Sequence, residues 1–97
     1  MVRIVFTPKA LQDLQRLTDF LLESDKNAAL STIELIESAI HILALHPFVG
    51  RTCDMHMREL IISTGKSGYV AMYSFDERKN SVLICSIRHQ KESGITL

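Results

Sequence analysis

At His46-Pro47 the hydrophobic rhythm of this chain changes, and the change limits the architectures open to it. From Pro8 to that point apolar residues recur every three to four positions, the period of an amphipathic helix. After it they alternate, the period of a strand. Leu11, Leu14, Leu17 and Leu21 form the first helical series, with Gln12, Asp13, Gln15, Arg16 and Asp19 on the other sides. Thr7-Pro8 marks its start: threonine caps, and proline suits a first turn whose N–H would be unpaired anyway. After a break at Ser24 to Asn27, the second series is Ala29, Ile33, Ile36, Ile40 and Leu43. It steps by fours and threes through a helix expected from about Asn27 to Leu45, because the residue before Pro47 is pushed out of helical space. So short a break folds the two helices into an antiparallel hairpin.

Strand patterns flank the hairpin. Val2 to Phe6 alternates ahead of it, and "RELIIS" (Arg58 to Ser63), "YVAMYSF" (Tyr69 to Phe75) and "SVLICSIR" (Ser81 to Arg88) follow it. The connections "TGKSG" and "DERKN" have turn chemistry and hairpin length, while "FVGRTCDMHM" reads as a loop. Strict alternation sets Leu83, Cys85 and Ile87 opposite Val82, Ile84, Ser86 and Arg88. The last two strands are apolar on both faces, as strands inside a sheet are. The expected architecture is α+β, in the order strand, helix, helix, strand, strand, strand. The helical hairpin covers one face of a mostly antiparallel sheet, in a single domain over residues 1–97. The other face, more open, is expected to carry Arg88 and Arg58.

Composition narrows the functional classes. Hydrophobic residues make up 46%, enough for a core without metal or disulfide staples. Cys53 and Cys85 do not resemble a secreted disulfide framework, and the first residues lack the apolar run of a signal peptide, so a cytoplasmic protein is expected. No apolar run approaches a membrane span. Eleven basic residues balance eleven acidic ones. A protein living on phosphate contacts carries a basic excess, so a nucleic-acid role would need a local basic patch.

The chain's chemistry gathers where the last strand ends in Arg88, His89, Gln90 and Lys91. A strand surfacing into water ends this way too, and Arg58 could merely pair with a carboxylate. RNA cleavage by 2′-hydroxyl attack needs a base, an acid and cations around the phosphate. His89 could be acid or base, Glu59 or Glu92 a base, and Arg51, Arg58 and Arg88 phosphate clamps. Cys53 and His56 offer only two ligands, and His41 and His46 do not share a helix face, so no metal is expected. "TGKSG" joins two strands and lacks the first glycine of a phosphate-binding loop, so its Lys66 reads as the tip of a turn. No cofactor is implied. Leu21, Leu22, Leu35 and Ile42 fall partly outside the helical seams; they either widen the core face or leave an apolar strip, a groove for a protein partner or a second copy.

Taken together, "FTPKALQDLQRLTDFL", "ILALHPFVGR", "MRELIIS", "YVAMYSFDE" and "VLICSIRHQKESG" resemble the RelE/ParE toxins of bacterial toxin–antitoxin modules, in the right order and over essentially the whole chain. The resemblance implies a compact strand–helix–helix–three-strand fold, no cofactor, and neutralisation by a small antitoxin that wraps the toxin surface. RelE-like members cut messenger RNA, usually within the ribosome; ParE-like members poison DNA gyrase without cleaving nucleic acid. Balanced charge and a tail without an aromatic residue point to the ParE-like side. On that reading no residue is catalytic, and Arg58, Arg88, His89, Gln90, Lys91, Leu21 and Leu22 are the expected partner contacts. The alternatives are a ribosome-dependent nuclease using Arg58, Arg88 and His89, and a non-toxic remnant that only binds its antitoxin. A homodimer and a hetero-oligomer with the antitoxin both stay open.

Overall fold

The computed structural model describes residues 1–63 and 68–91. Its elements are β1 (Arg3–Phe6), α1 (Pro8–Ser24), α2 (Lys26–His41), a 3-10 turn (Ile42–Ala44), β2 (Arg51–Thr52), β3 (Met57–Ser63), β4 (Gly68–Asp76) and β5 (Ser81–His89). Thr7 starts α1 as expected: its hydroxyl accepts the Ala10 N–H at 3.1 Å, and Pro8 occupies the first turn. One extended residue, Asp25, separates the helices. Its N–H closes α1 on the Leu21 carbonyl, while its carboxylate accepts the N–H groups of Asn27 and Ala28 and so opens α2. The sheet order is β1-β5-β4-β3-β2, with β1 parallel to β5 and every other pair antiparallel.

The two helices cover one face of this sheet. Leu17, Ile36, Ile40 and Leu43 meet Ile62, Tyr69, Ala71, Tyr73, Val82, Ile84 and Ile87 in a single buried cluster. Burying each such branched side chain is worth roughly 1.5–3 kcal/mol, which is what holds the hairpin on the sheet. The α2 seam read from the sequence is the one that packs. The α1 seam is shifted: Leu11 is 54% exposed, and Asp13, assigned to a polar side, is buried beside Ala10 and Leu17. Two boundaries also differ. Regular α2 stops at His41 and tightens into the 3-10 turn, and the expected loop after Pro47 contains β2, whose Arg51 and Thr52 pair with Glu59 and Arg58.

The largest departure lies in β5. Met72 pairs with Ser86, but Tyr73 pairs with Ile84, so Cys85 is an extra residue and the strand bulges there. The bulge reverses the alternation beyond it. Ile87 joins Val82 and Ile84 under the helices, correcting the grouping with Leu83, and Arg88 shares the open face with Leu83. Two α1-side groups hold the irregular backbone. The Thr7 hydroxyl donates to the Cys85 carbonyl at 3.2 Å, and the Asp13 carboxylate accepts the Ile87 N–H at 3.0 Å. Lys9 and Arg16 flank that carboxylate at 3.0 and 3.7 Å. Residues 64–67, with Lys66, and Glu92 lie outside the described residues.

Candidate functional site

Arg58 does not sit on the open face. It pairs across β3–β4 with Tyr73 and therefore points to the helix side. There one guanidinium nitrogen donates to the carbonyls of Gly50 (2.7 Å) and Phe48 (3.1 Å), and the guanidinium lies 5.0 Å above the Phe48 ring. Tyr73 secures the same segment. Its hydroxyl donates to the Pro47 carbonyl at 2.8 Å and accepts the Gly50 N–H at 2.9 Å. A Cβ on Gly50 would stand 2.6 Å from that hydroxyl oxygen, which is why glycine is needed. Burial pushes the Tyr73 phenol above its ordinary value, against smaller downward pulls from the Gly50 hydrogen bond and the Arg58 charge. Arg58 thus fastens the segment after α2 to the sheet.

Arg88 lies on the opposite face, paired with Val70. Among the described residues it pairs with Glu59, at 3.7 Å from one terminal guanidinium nitrogen, an ion-pair distance too long for a hydrogen bond. The other Glu59 oxygen accepts from Arg51 Nε at 3.1 Å. Glu59 is 14% exposed between these two arginines, so the candidate base is already engaged. Arg88 Nε is buried without a hydrogen-bond partner among the described residues.

His89 returns to the helix side, opposite Tyr69, its ring edge-on to the Tyr69 ring at 5.1 Å. Its Nδ1 accepts the Lys91 N–H at 3.0 Å, which puts the proton of the neutral ring on Nε2. His89 borders a cleft of about 590 Å³ whose apolar floor is Leu17, Phe20, Leu21 and Tyr69 and whose rim adds Arg16 and Lys91. Leu21 was expected in such a groove. Leu22, Leu35 and Ile42 are exposed but do not line it. Phe20, 65% exposed, was not foreseen, although it sits at helical spacing from Leu17 and is the largest apolar group on the floor. Gln90 packs against Gly68, where an added Cβ would strike its amide.

The three residues proposed for RNA cleavage therefore do not converge. Arg88 is on one face of the sheet, and Arg58 and His89 are on the other. Their partners Tyr73 and Tyr69 stand four residues apart on β4, roughly 13 Å at strand rise. Cys53 is exposed, and Cys85, half-buried, has its thiol pushed up by burial. Among the described residues no three His, Cys, Asp or Glu side chains gather as a metal site, and no helix is long and apolar enough to cross a membrane.

Comparison with known proteins places this geometry. The family model described as the ParE toxin of the type II toxin–antitoxin system parDE matches residues 4–94. The toxin RelE3 of Caulobacter vibrioides is 38% identical over 92 residues, 95% of this chain and 98% of that protein. Toxin RelE1 of the same organism is 34% identical over 70 residues, covering 72% and 75%. Among solved structures, a chain of the chromosomal ParDE system from P. aeruginosa superposes with a TM-score of 0.75 at 19% identity, over 92% of this chain and 96% of that one. The isolated E. coli RelE toxin gives 0.66 at 16%, over 99% and 96%.

Proposed function

The chain belongs to the ParE toxin family of type II toxin–antitoxin systems, and from that membership we propose that it inhibits DNA gyrase by binding, cleaves nothing, and is neutralised by a cognate antitoxin. The observation that carries the choice of target is the division of the cationic residues between two faces of the sheet. In-line RNA cleavage needs a base, an acid and phosphate clamps within a few ångströms of one phosphate. Here Arg58 is spent on the Phe48 and Gly50 carbonyls, His89 stands on the same side opposite Tyr69, and Arg88 is on the other face, where it and Arg51 are already engaged by Glu59 without the histidine. The balanced charge of the whole chain adds to this, because it supplies no broad field for docking on ribosomal RNA.

The antitoxin has a place to bind. The cleft of Leu17, Phe20, Leu21 and Tyr69 is apolar, and Arg16, His89 and Lys91 give its rim a basic character. An amphipathic antitoxin segment with apolar anchors and flanking carboxylates complements it. The second reading, messenger RNA cleavage, is favoured by the RelE names of the two C. vibrioides relatives. Two assays on purified protein separate the readings: supercoiling of relaxed plasmid by gyrase, and primer extension on translated message.

A further inference from the structure

On the open face, Arg88 is an incompletely satisfied cation beside a built-in anion. Glu59 touches it only at 3.7 Å through a terminal nitrogen, and Arg88 Nε is buried with no hydrogen-bond partner among the described residues. A guanidinium prefers two parallel donors, Nε and a terminal nitrogen, to one carboxylate. Glu59 cannot provide this where it stands, because its second oxygen is held by Arg51 Nε at 3.1 Å. We propose that Glu59 is a place-holder, and that Arg88 swings off it to form a two-pronged pair with an acidic side chain of the antitoxin.

The inference rests on the toxin–antitoxin reading and names the chemistry of a second contact, on the face away from the cleft. Three observations favour a carboxylate over a phosphodiester. The group already in place is a carboxylate. Arg88's neighbours across the face are apolar: Val70 is its register partner, Ile61 lies one strand further, and Ile61 is exposed. Two arginines, Arg51 and Arg88, flank the one carboxylate of Glu59, a compact cluster rather than a basic track for a polyanion to follow. The swing is a rotamer change in a side chain already 29% exposed, so it needs no backbone movement.

The test uses the full chain labelled with 15N-arginine. The Arg88 Nε–H resonance, assigned by its loss in Arg88→Lys, is followed through titration with succinate and, separately, with a twelve-nucleotide uridine RNA. Succinate should move it in the wild type and at about five- to tenfold lower concentration in Glu59→Gln. Glu77→Gln, which removes an exposed charge in the β4–β5 turn, should respond within twofold of wild type. In parallel, calorimetry with the product of the adjacent reading frame should show binding tightened about fivefold by Glu59→Gln and weakened about tenfold or more by Arg88→Ala. The proposal is overturned if the resonance ignores succinate in both proteins, if RNA moves it at lower concentration than succinate, or if Arg88→Ala binds the adjacent product like wild type. If that product binds no form of the chain, wild type included, the antitoxin reading falls, and the succinate titration decides the Arg88 site alone.

Discussion

The Asp13 carboxylate on α1 accepts the backbone N–H of Ile87 in β5 at 3.0 Å, joining the first helix to the last strand just past the Cys85 bulge. The contact braces the strand where the bulge has set which way the chain's end faces. Without the bulge, Arg88 would point under the helices and Ile87 into the open.

Asp13→Ala should therefore cost about 2–3 kcal/mol, because it removes a charge-assisted bond and leaves a buried N–H unpaired. Asp13→Asn keeps an acceptor for Ile87 and should recover about half of that loss. Urea unfolding of the three proteins measures both.

Tyr73 should make stability fall at high pH. Burial raises its folded pKa above the unfolded value near 10. Above that value the unfolded chain has released the proton while the folded chain keeps it, so the stabilisation is complete below about pH 10 and is lost as pH climbs through the folded value. Tyr73→Phe should cost about 1–3 kcal/mol at neutral pH, by orphaning the Gly50 N–H and Pro47 carbonyl, and should flatten the alkaline slope. Cys85, also raised by burial, should add its own decline beginning nearer pH 9. Denaturant midpoints from pH 7 to 11 give the comparison.

Arg58 is a structural clamp, so Arg58→Ala should lose about 1–2 kcal/mol while inhibition per folded molecule stays unchanged. Arg58→Lys should rescue only part of the loss, because an ammonium can donate to the two carbonyls but lacks the planar face that stacks on Phe48. Full stability with lost inhibition would instead make Arg58 a target contact. Thermal unfolding and an activity titration on the same preparations distinguish these outcomes.

Phe20→Ala should weaken antitoxin binding ten- to a hundredfold and change stability by no more than about 0.5 kcal/mol, since the ring is mostly exposed in the free protein. Calorimetry and urea unfolding provide the two numbers.

Much of the fold could be read from hydrophobic period alone. The α2 seam, the helix start at Thr7-Pro8, the two inner strands and the single covered face all follow from patterns that local sequence carries. What could not be read was set by tertiary pairing. The bulge at Cys85 shifts every later side chain by one face, and nothing in "SVLICSIR" announces it; the side chains that bond to it, Thr7 and Asp13, are more than seventy residues away. Asp13 looked like a surface residue because an aspartate is rarely buried without partners, and its partners come from another element. Arg58 was misplaced for a simpler reason: the face of β3 depends on its register with Tyr73, which the segment alone does not specify. Phe20 was within reach, since Leu17, Phe20 and Leu21 share one face of a 3.6-residue helix.

Gyrase binding is the action we propose for this toxin, with Arg58 and His89 on one face of the sheet and Arg88 on the other. The direct measurement is ATP-dependent supercoiling of relaxed plasmid by purified gyrase with increasing amounts of the protein. Binding without cleavage predicts dose-dependent loss of supercoiling, reversed by the antitoxin, with translated message left intact. Normal supercoiling at a large excess of protein, together with message cut at defined positions, would contradict it.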